Sequence, residues 1–399
     1  MTLAVVSSHP IQYHAPVYRA LQTEFGVPVT AIYGSDFSVT GYHDHEFGVE
    51  FAWDTDLLSG YDSVFLSQVA SGGARSVEEI TTAGLGRALQ QSQSKAVLLI
   101  GYSLPLYRAA FWHAQRLRLP VLFRAEVTDH ARARSTLKHI ARDQALRLFY
   151  QRCATLLYIG RRAHEHYQRL GCPDHKLFFS PYCIDNTPFQ TDEAARQRLR
   201  SATRAQLNLD NTKRVLLFCG KLSERKGPDL LVNAIKQWPD ELRMKTALVF
   251  VGDGEMRSAL QSMASSSPVV EVRFLGFQNQ HELSQYYHAS DLLVLPSRQG
   301  ETWGLVVNEA LHHGIPAVVS DAVGCAPDLI QEGVTGEVFQ TDRVDDLASA
   351  LARTMESPND EARRVQCRQQ VDKYTMTRAA EGIARAYTHV MQRADRGHP

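Results

Sequence analysis

Asp291-Leu292-Leu293-Val294-Leu295-Pro296-Ser297 leads into Glu301-Thr302-Trp303-Gly304-Leu305-Val306-Val307-Asn308-Glu309, and this passage is the key to the architecture. The first segment is a short apolar run closed by proline, which reads as a buried strand. From Leu305 to His312 the apolar spacing turns helical. Glu301 therefore falls in a loop at the carboxyl end of a strand, and Glu309 inside the next helix. On its own the pair is a weak pattern: one loop acid and one solvated helix acid would read the same way.

A second strand-to-helix turn strengthens it. Val215 to Gly220 reads as a buried strand, and the loop from Lys221 to Gly227 turns into a helix from Pro228 to Lys236. Pro228 suits a first helical turn, and Asp229 suits its positive end. Lys221 and Lys226 share that loop, where two ammonium groups and exposed backbone amides are able to converge on a diphosphate. Eight residues of helix span about 12 Å, roughly the reach from a sugar ring across a diphosphate to a ribose. That reach matches the separation of Glu301 from Glu309 along the chain.

Together these segments resemble the retaining GT-B glycosyltransferases of the family-4 type, the glycosyl transferases group 1. The resemblance rests on Gly220 to Gly227, Val251 to Glu255, Phe274 to Phe277, Asp291 to Ser297, Glu301 to Leu311, Gly314 to Val319 and Glu332 to Gly336. It is strong over residues 213–340 and thinner elsewhere. It implies an α/β architecture of two Rossmann-like, doubly wound domains facing across a cleft. It also implies transfer of a sugar from a nucleotide-diphosphate donor to a hydroxyl acceptor. Lys221 stands where the family most often has arginine; a lysine keeps the charge but not the bidentate fork.

The remaining sequence agrees with two such domains. A chain of 399 residues is long enough for two cores. Strand-like runs alternate with helical patterns throughout, which argues for parallel sheets covered by helices. The first half reads as strands at 3–7, 27–33, 63–66, 96–100, 121–124 and 155–159, with helices that include 76–90. The expected divisions are an acceptor-binding domain at 1–185, a nucleotide-sugar domain at 186–371, and a final helix within 372–399. By resemblance, that helix crosses back to the first domain.

Lys+Arg and Asp+Glu both number 43, so net charge is zero and nucleic acid is not an expected partner. Six scattered cysteines without a Cys-x-x-Cys read as reduced thiols of a cytoplasmic protein. The amino-terminal Met1 to Pro10 reads as a first strand rather than a signal peptide, and no apolar run approaches bilayer length. The helical region 132–152 is basic, with Arg134, Lys138 and Arg142 beside Leu137, Ile140, Leu148 and Phe149. A solvated surface explains such a stripe; contact with anionic lipid at the inner membrane face is the sharper expectation.

The catalytic candidates are Glu301, Lys226, Lys221 and Glu126. Glu301 is expected on donor-sugar hydroxyls, with the lysines on the diphosphate. Glu126 stands where relatives often carry a histidine near the sugar, within Arg124 to Asp129; a structural pair with Arg124 is its plainer role. The donor-binding candidates are Glu309, Thr302, Trp303, Gly304, Leu305, Gly220, Gly252 and Phe277. Among these, Gly304 is expected to let backbone approach phosphate. The first loop carries no glycine, and His9, Gln12, Tyr13 and His14 are the acceptor-binding candidates; a turn capped by histidines is the alternative. The irregular stretch 34–62, with Tyr42 to Phe47 at its middle, is expected to face the acceptor. Its His-x-His matches no strong zinc pattern, and neither metal nor cofactor is expected. Rival readings are a nucleotide-sugar epimerase, a GT-B transferase joining non-sugar rings, and a non-catalytic sugar-binding protein.

Overall fold

The structure is a computed structural model that describes residues 2–44, 49–51, 55–129, 136–266, 270–357 and 360–395. Its two large sheets share one plan. The first holds β1 (Leu3–Ser7), β2 (Val29–Tyr33), β5 (Asp62–Phe65), β6 (Ala96–Leu99), β7 (Val121–Arg124), β8 (Thr155–Tyr158) and β9 (Leu177–Phe179). Their order is β5-β2-β1-β6-β7-β8-β9, and every pairing is parallel. The second holds β10 (Arg214–Cys219), β11 (Thr246–Val251), β12 (Glu271–Phe274), β13 (Leu292–Leu295), β14 (Ala317–Ser320) and β15 (Gly336–Phe339). Its order is β12-β11-β10-β13-β14-β15, again all parallel.

The central strands are apolar on both faces because helices cover both faces. Leu216 to Phe218 and Leu292 to Leu295 are at most 1 % exposed. In each sheet the strand order reverses beside the first strand, so the loops leaving β1 and β6, or β10 and β13, splay apart and open a crevice. His9 to His14 leave β1, Lys221 and Lys226 leave β10, and Glu301 leaves β13. The fold thus gathers the candidates at carboxyl ends of strands.

Three local readings change. Residues 76–84 are not helical; only Leu85–Gln91 is. Val77 and Ile80 have helical spacing, but Ile80 is buried against Gly34, and Gly84 takes a left-handed φ of 79° before the helix starts. The stretch 34–62 contains a short helix, Phe37–Thr40, and a hairpin of β3 (Tyr42–Asp44) and β4 (Val49–Phe51). Its His45 to Phe47 lie outside the described residues, as does Arg134 of the basic stripe. Two edge strands, β9 and β15, complete the sheets.

The helix Glu193–Gln206 packs on the helix Gln280–Ala289. Its Arg200 and Arg204 grip Asp291 at 2.6 and 2.8 Å, which ties it to the second sheet. The last helix, Met376–Asp395, lies instead against the helix Ala15–Thr23 and strand β9 of the first sheet. Ala379, Ile383, Ala386 and Val390 share a core there with Val17 and Leu21. Ser180 Oγ donates to the Ala379 carbonyl at 2.9 Å.

Candidate active site

Lys226 and Glu301 come from loops far apart in sequence, and backbone geometry makes them meet. A 3-10 turn at Glu224–Lys226 ends on Gly227 with φ +64°, and a Cβ on Gly227 would lie 2.3 Å from the Pro296 carbonyl. Only glycine lets the β10 loop pass so close to the end of β13. Arg298 fixes this crossing: it grips both oxygens of Asp229 at 2.8 and 2.6 Å and donates to the Glu224 carbonyl at 2.9 Å. The Lys226 ammonium then bonds Glu301 Oε2, to which Ser297 Oγ also donates at 3.0 Å. Burial pushes the Glu301 carboxyl up, but the Lys226 ammonium and the Ser297 hydroxyl outweigh it and hold it below the usual range. Glu301 is therefore an anion.

Glu309 is in a different electrostatic state. It is 2 % exposed and accepts from the Tyr287 hydroxyl at 2.5 Å. Burial raises its carboxyl from 4.5 to about 7, only partly offset by that hydrogen bond. It lines a cleft of about 110 Å³ between the domains, with Gly220, Gly252 and Phe277 from the second and Gln12 and Tyr13 from the first. Gln12 and Tyr13 thus share one cleft with Glu309.

Glu126 reaches the same region from β7: Thr302 Oγ1 donates to Glu126 Oε2 across the domains. Arg124 does not pair with it. Arg124 is buried, donates to Ser180 Oγ at 2.9 Å and the Pro181 carbonyl at 2.7 Å, and lies over the Tyr182 ring. Asp129, from the same segment, is taken by His166 and Arg169 at 2.8 Å each.

Other candidates are turned into packing. The Trp303 indole is 3 % exposed, donates to Asn308 Oδ1 at 2.8 Å, and sits among the rings of Tyr182 and Tyr374. Gly304 faces the core: a Cβ there would lie 2.9 Å from Leu295 Cδ2 and 3.0 Å from Val323 Cγ1. Its left-handed φ of 104° starts the helix Leu305–His312. His9 stacks on Phe37 and bonds Ser8 Oγ at 3.0 Å, and burial lowers it to about 4. His14 is 8 % exposed among Tyr18 and Tyr182, and burial lowers it to about 3. Both rings are neutral near pH 7.

Sequence reasoning overlooked the strap behind Glu301. Gly324 N donates to the Glu301 carbonyl and Cys325 N to the Trp303 carbonyl, each at 2.9 Å. A Cβ on Gly324 would lie 1.9 Å from the Thr302 carbonyl. The glycine in Val323-Gly324-Cys325 was the available signal, but no pattern tied it to Glu301.

Two parallel-sheet domains with site loops at their facing carboxyl ends define the GT-B fold. Residues 200–373 match the family model described as glycosyl transferases group 1. The match covers the carboxy-terminal part of the chain. A sulfoquinovosyl transferase from Arabidopsis thaliana is 34 % identical over 147 residues, 36 % of this chain and 27 % of the relative. A D-inositol 3-phosphate glycosyltransferase from Actinosynnema mirum is 36 % identical over 168 residues, 40 % of each. The chain thus spans well under half the length of these two curated relatives. Two solved structures match nearly end to end. A glycosyltransferase from Rickettsia africae has a TM-score of 0.71 at 11 % identity, covering 98 % of both chains. The Anabaena protein HepE in complex with UDP has a TM-score of 0.69 at 15 % identity, covering 97 % of this chain and all of that one.

Proposed function

We propose that the protein is a retaining, metal-independent glycosyltransferase that moves a sugar from a nucleotide-diphosphate donor to a hydroxyl acceptor. The observation that carries this is the Lys226–Glu301 pair at the strand reversal of the second sheet, beside a cleft that holds Glu309. In this reading Glu309 takes the ribose hydroxyls and Glu301 the hydroxyls of the donor sugar. Lys226, Lys221 and the amides opening the helix Leu305–His312 take the charge that develops on the departing diphosphate. Glu126, joined to Thr302, orients the acceptor or a donor hydroxyl.

The bond from the anomeric carbon to the phosphate oxygen breaks, and the acceptor oxygen bonds that carbon on the same face. The leaving phosphate takes the acceptor proton. A covalent glycosyl-enzyme would need a carboxylate close to the opposite face. Glu309 is buried against Tyr287 and Glu301 is bound to Lys226, so neither supports that route.

A thermal-shift panel of UDP, ADP, GDP and their sugars tests the reading, since a ligand of the native state raises apparent stability by mass action. A rise with at least one nucleotide diphosphate is expected; no rise with any of them would end it. Turnover of donor without acceptor would favour the epimerase. Product formed at an unchanged rate in EDTA, with the donor's anomeric configuration, is the expected outcome for the finer points.

We place the protein in the cytoplasm, with peripheral contact at an anionic membrane. Among the described residues no helix is long and apolar enough to cross one. The support is a groove of about 460 Å³ beside the helix Thr136–Arg152, where Trp112 and Leu148 are 61 and 55 % exposed next to Arg108 and Arg152. Arg142 contributes less, being turned toward Asp129 and Asp143. Flotation with vesicles containing anionic lipid should fall for W112S/L148S; equal flotation of the variant would remove this face from the proposal.

A further inference from the structure

The interdomain cleft contains a polar residue that none of the roles above uses. Gln280 is 3 % exposed and lines the cleft, and neither its Oε1 nor its Nε2 has a hydrogen-bond partner among the described residues. Apolar side chains of Val251, Phe277, Leu283 and Val306 form part of the wall of the same space. A buried amide left unpaired costs folding free energy, so its retention calls for a reason. The neighbouring amide shows the contrast. Gln278 Nε2 donates to the Leu275 carbonyl at 3.0 Å, and its Oε1 accepts from the Tyr286 hydroxyl at 3.2 Å. Gln278 is satisfied by the fold and Gln280 is not.

Its placement says what it would meet. Gln280 is the first residue of the helix Gln280–Ala289, beyond the carboxyl end of β12. It shares the cleft with Glu309 and Gln12, whose Oε1 also lacks a partner among the described residues. A carboxamide offers one donor and one acceptor side by side in a plane, the pattern that makes a two-point pair with the edge of a base. Flat apolar walls beside such a group suit a heterocycle. We propose that the Gln280 carboxamide reads the nucleobase of the donor and sets which nucleoside diphosphate is preferred. This rests on the nucleotide-sugar reading given above.

The test is calorimetric titration of the full chain with UDP, ADP, GDP and inorganic pyrophosphate, for wild type, Q280L and Q280E. Q280L removes the pair, so affinity for the preferred nucleotide should drop about tenfold or more, and the three affinities should converge. Pyrophosphate binding should be unchanged, because the phosphate site is intact. Q280E offers acceptors only, while the guanine edge presents two adjacent donors, so GDP should gain about tenfold over UDP and ADP. A base preference unchanged in both variants would overturn the proposal while leaving the donor reading standing. So would a parallel loss of pyrophosphate binding, which marks a merely structural residue. Wild-type protein that binds none of the three nucleotides would bring down the donor reading and this inference with it.

Discussion

The two glutamates that dominate the sequence are shifted in opposite directions, and the difference lies in their neighbours. Glu301 has a cation and a hydroxyl; Glu309 has one phenol and apolar walls. The Glu309 carboxyl is raised to about 7 in the folded chain from 4.5, so the native state binds that proton more tightly than the unfolded state. Unfolding free energy therefore falls as pH rises from about 4.5 to about 7, by up to about 3 kcal/mol. E309Q should lack that decline, seen as converging urea midpoints at pH 5 and 8. If the ionised form holds ribose, wild-type nucleotide affinity also weakens as pH drops below about 7, while E309Q binds weakly at every pH. Lys226→Ala leaves Glu301 without its cation in a site only 11 % exposed. A cost of about 1–3 kcal/mol is expected after allowing for partial exposure, with kcat down about 10²–10³-fold. Adding E301Q should restore stability but not turnover; recovery of kcat in the double variant would show that Lys226 serves only its partner.

At the scale of elements, the site depends on loops crossing at the end of β13. Gly227 is the contact point, and Gly333 supplies a control: its φ is a similar +74°, and a Cβ added to it would meet nothing within 4 Å. Gly333→Ala should cost about 1–2 kcal/mol from the left-handed backbone alone. Gly227→Ala should cost clearly more and also displace Lys226, so activity should collapse in one variant and persist in the other. Equal stability losses in the two would mean that the loop crossing tolerates a side chain. The same elements show what was readable in advance. The strand-turn-helix units around Lys226 and Glu301 are dense in glycine, proline and apolar runs, which are local signals. The false helix at 76–84 had local signals too, but packing of Ile80 under Gly34 and the turn at Gly84 overrode them.

For the whole molecule, the helix Met376–Asp395 follows the second sheet in sequence yet completes the first domain's core. Deleting residues 376–399 should expose Val17, Leu21 and their apolar neighbours. Limited proteolysis should then cut the amino-terminal half first, while the carboxy-terminal half stays resistant. Equal resistance of both halves would show that the helix contributes little to the first core. Residue order was enough to specify the α/β alternation and the strands that end at the site, because periodicity and turn chemistry are local; Glu301, Glu309 and Lys226 were singled out by the family resemblance. Only folding in three dimensions made Lys226 bond Glu301, turned Trp303 and His14 into packing, set Gln12 against Glu309, and left Gln280 unpaired. Those outcomes depend on which distant groups share one small volume, and burial and pairing are properties of the folded neighbourhood rather than of any residue's position in the chain.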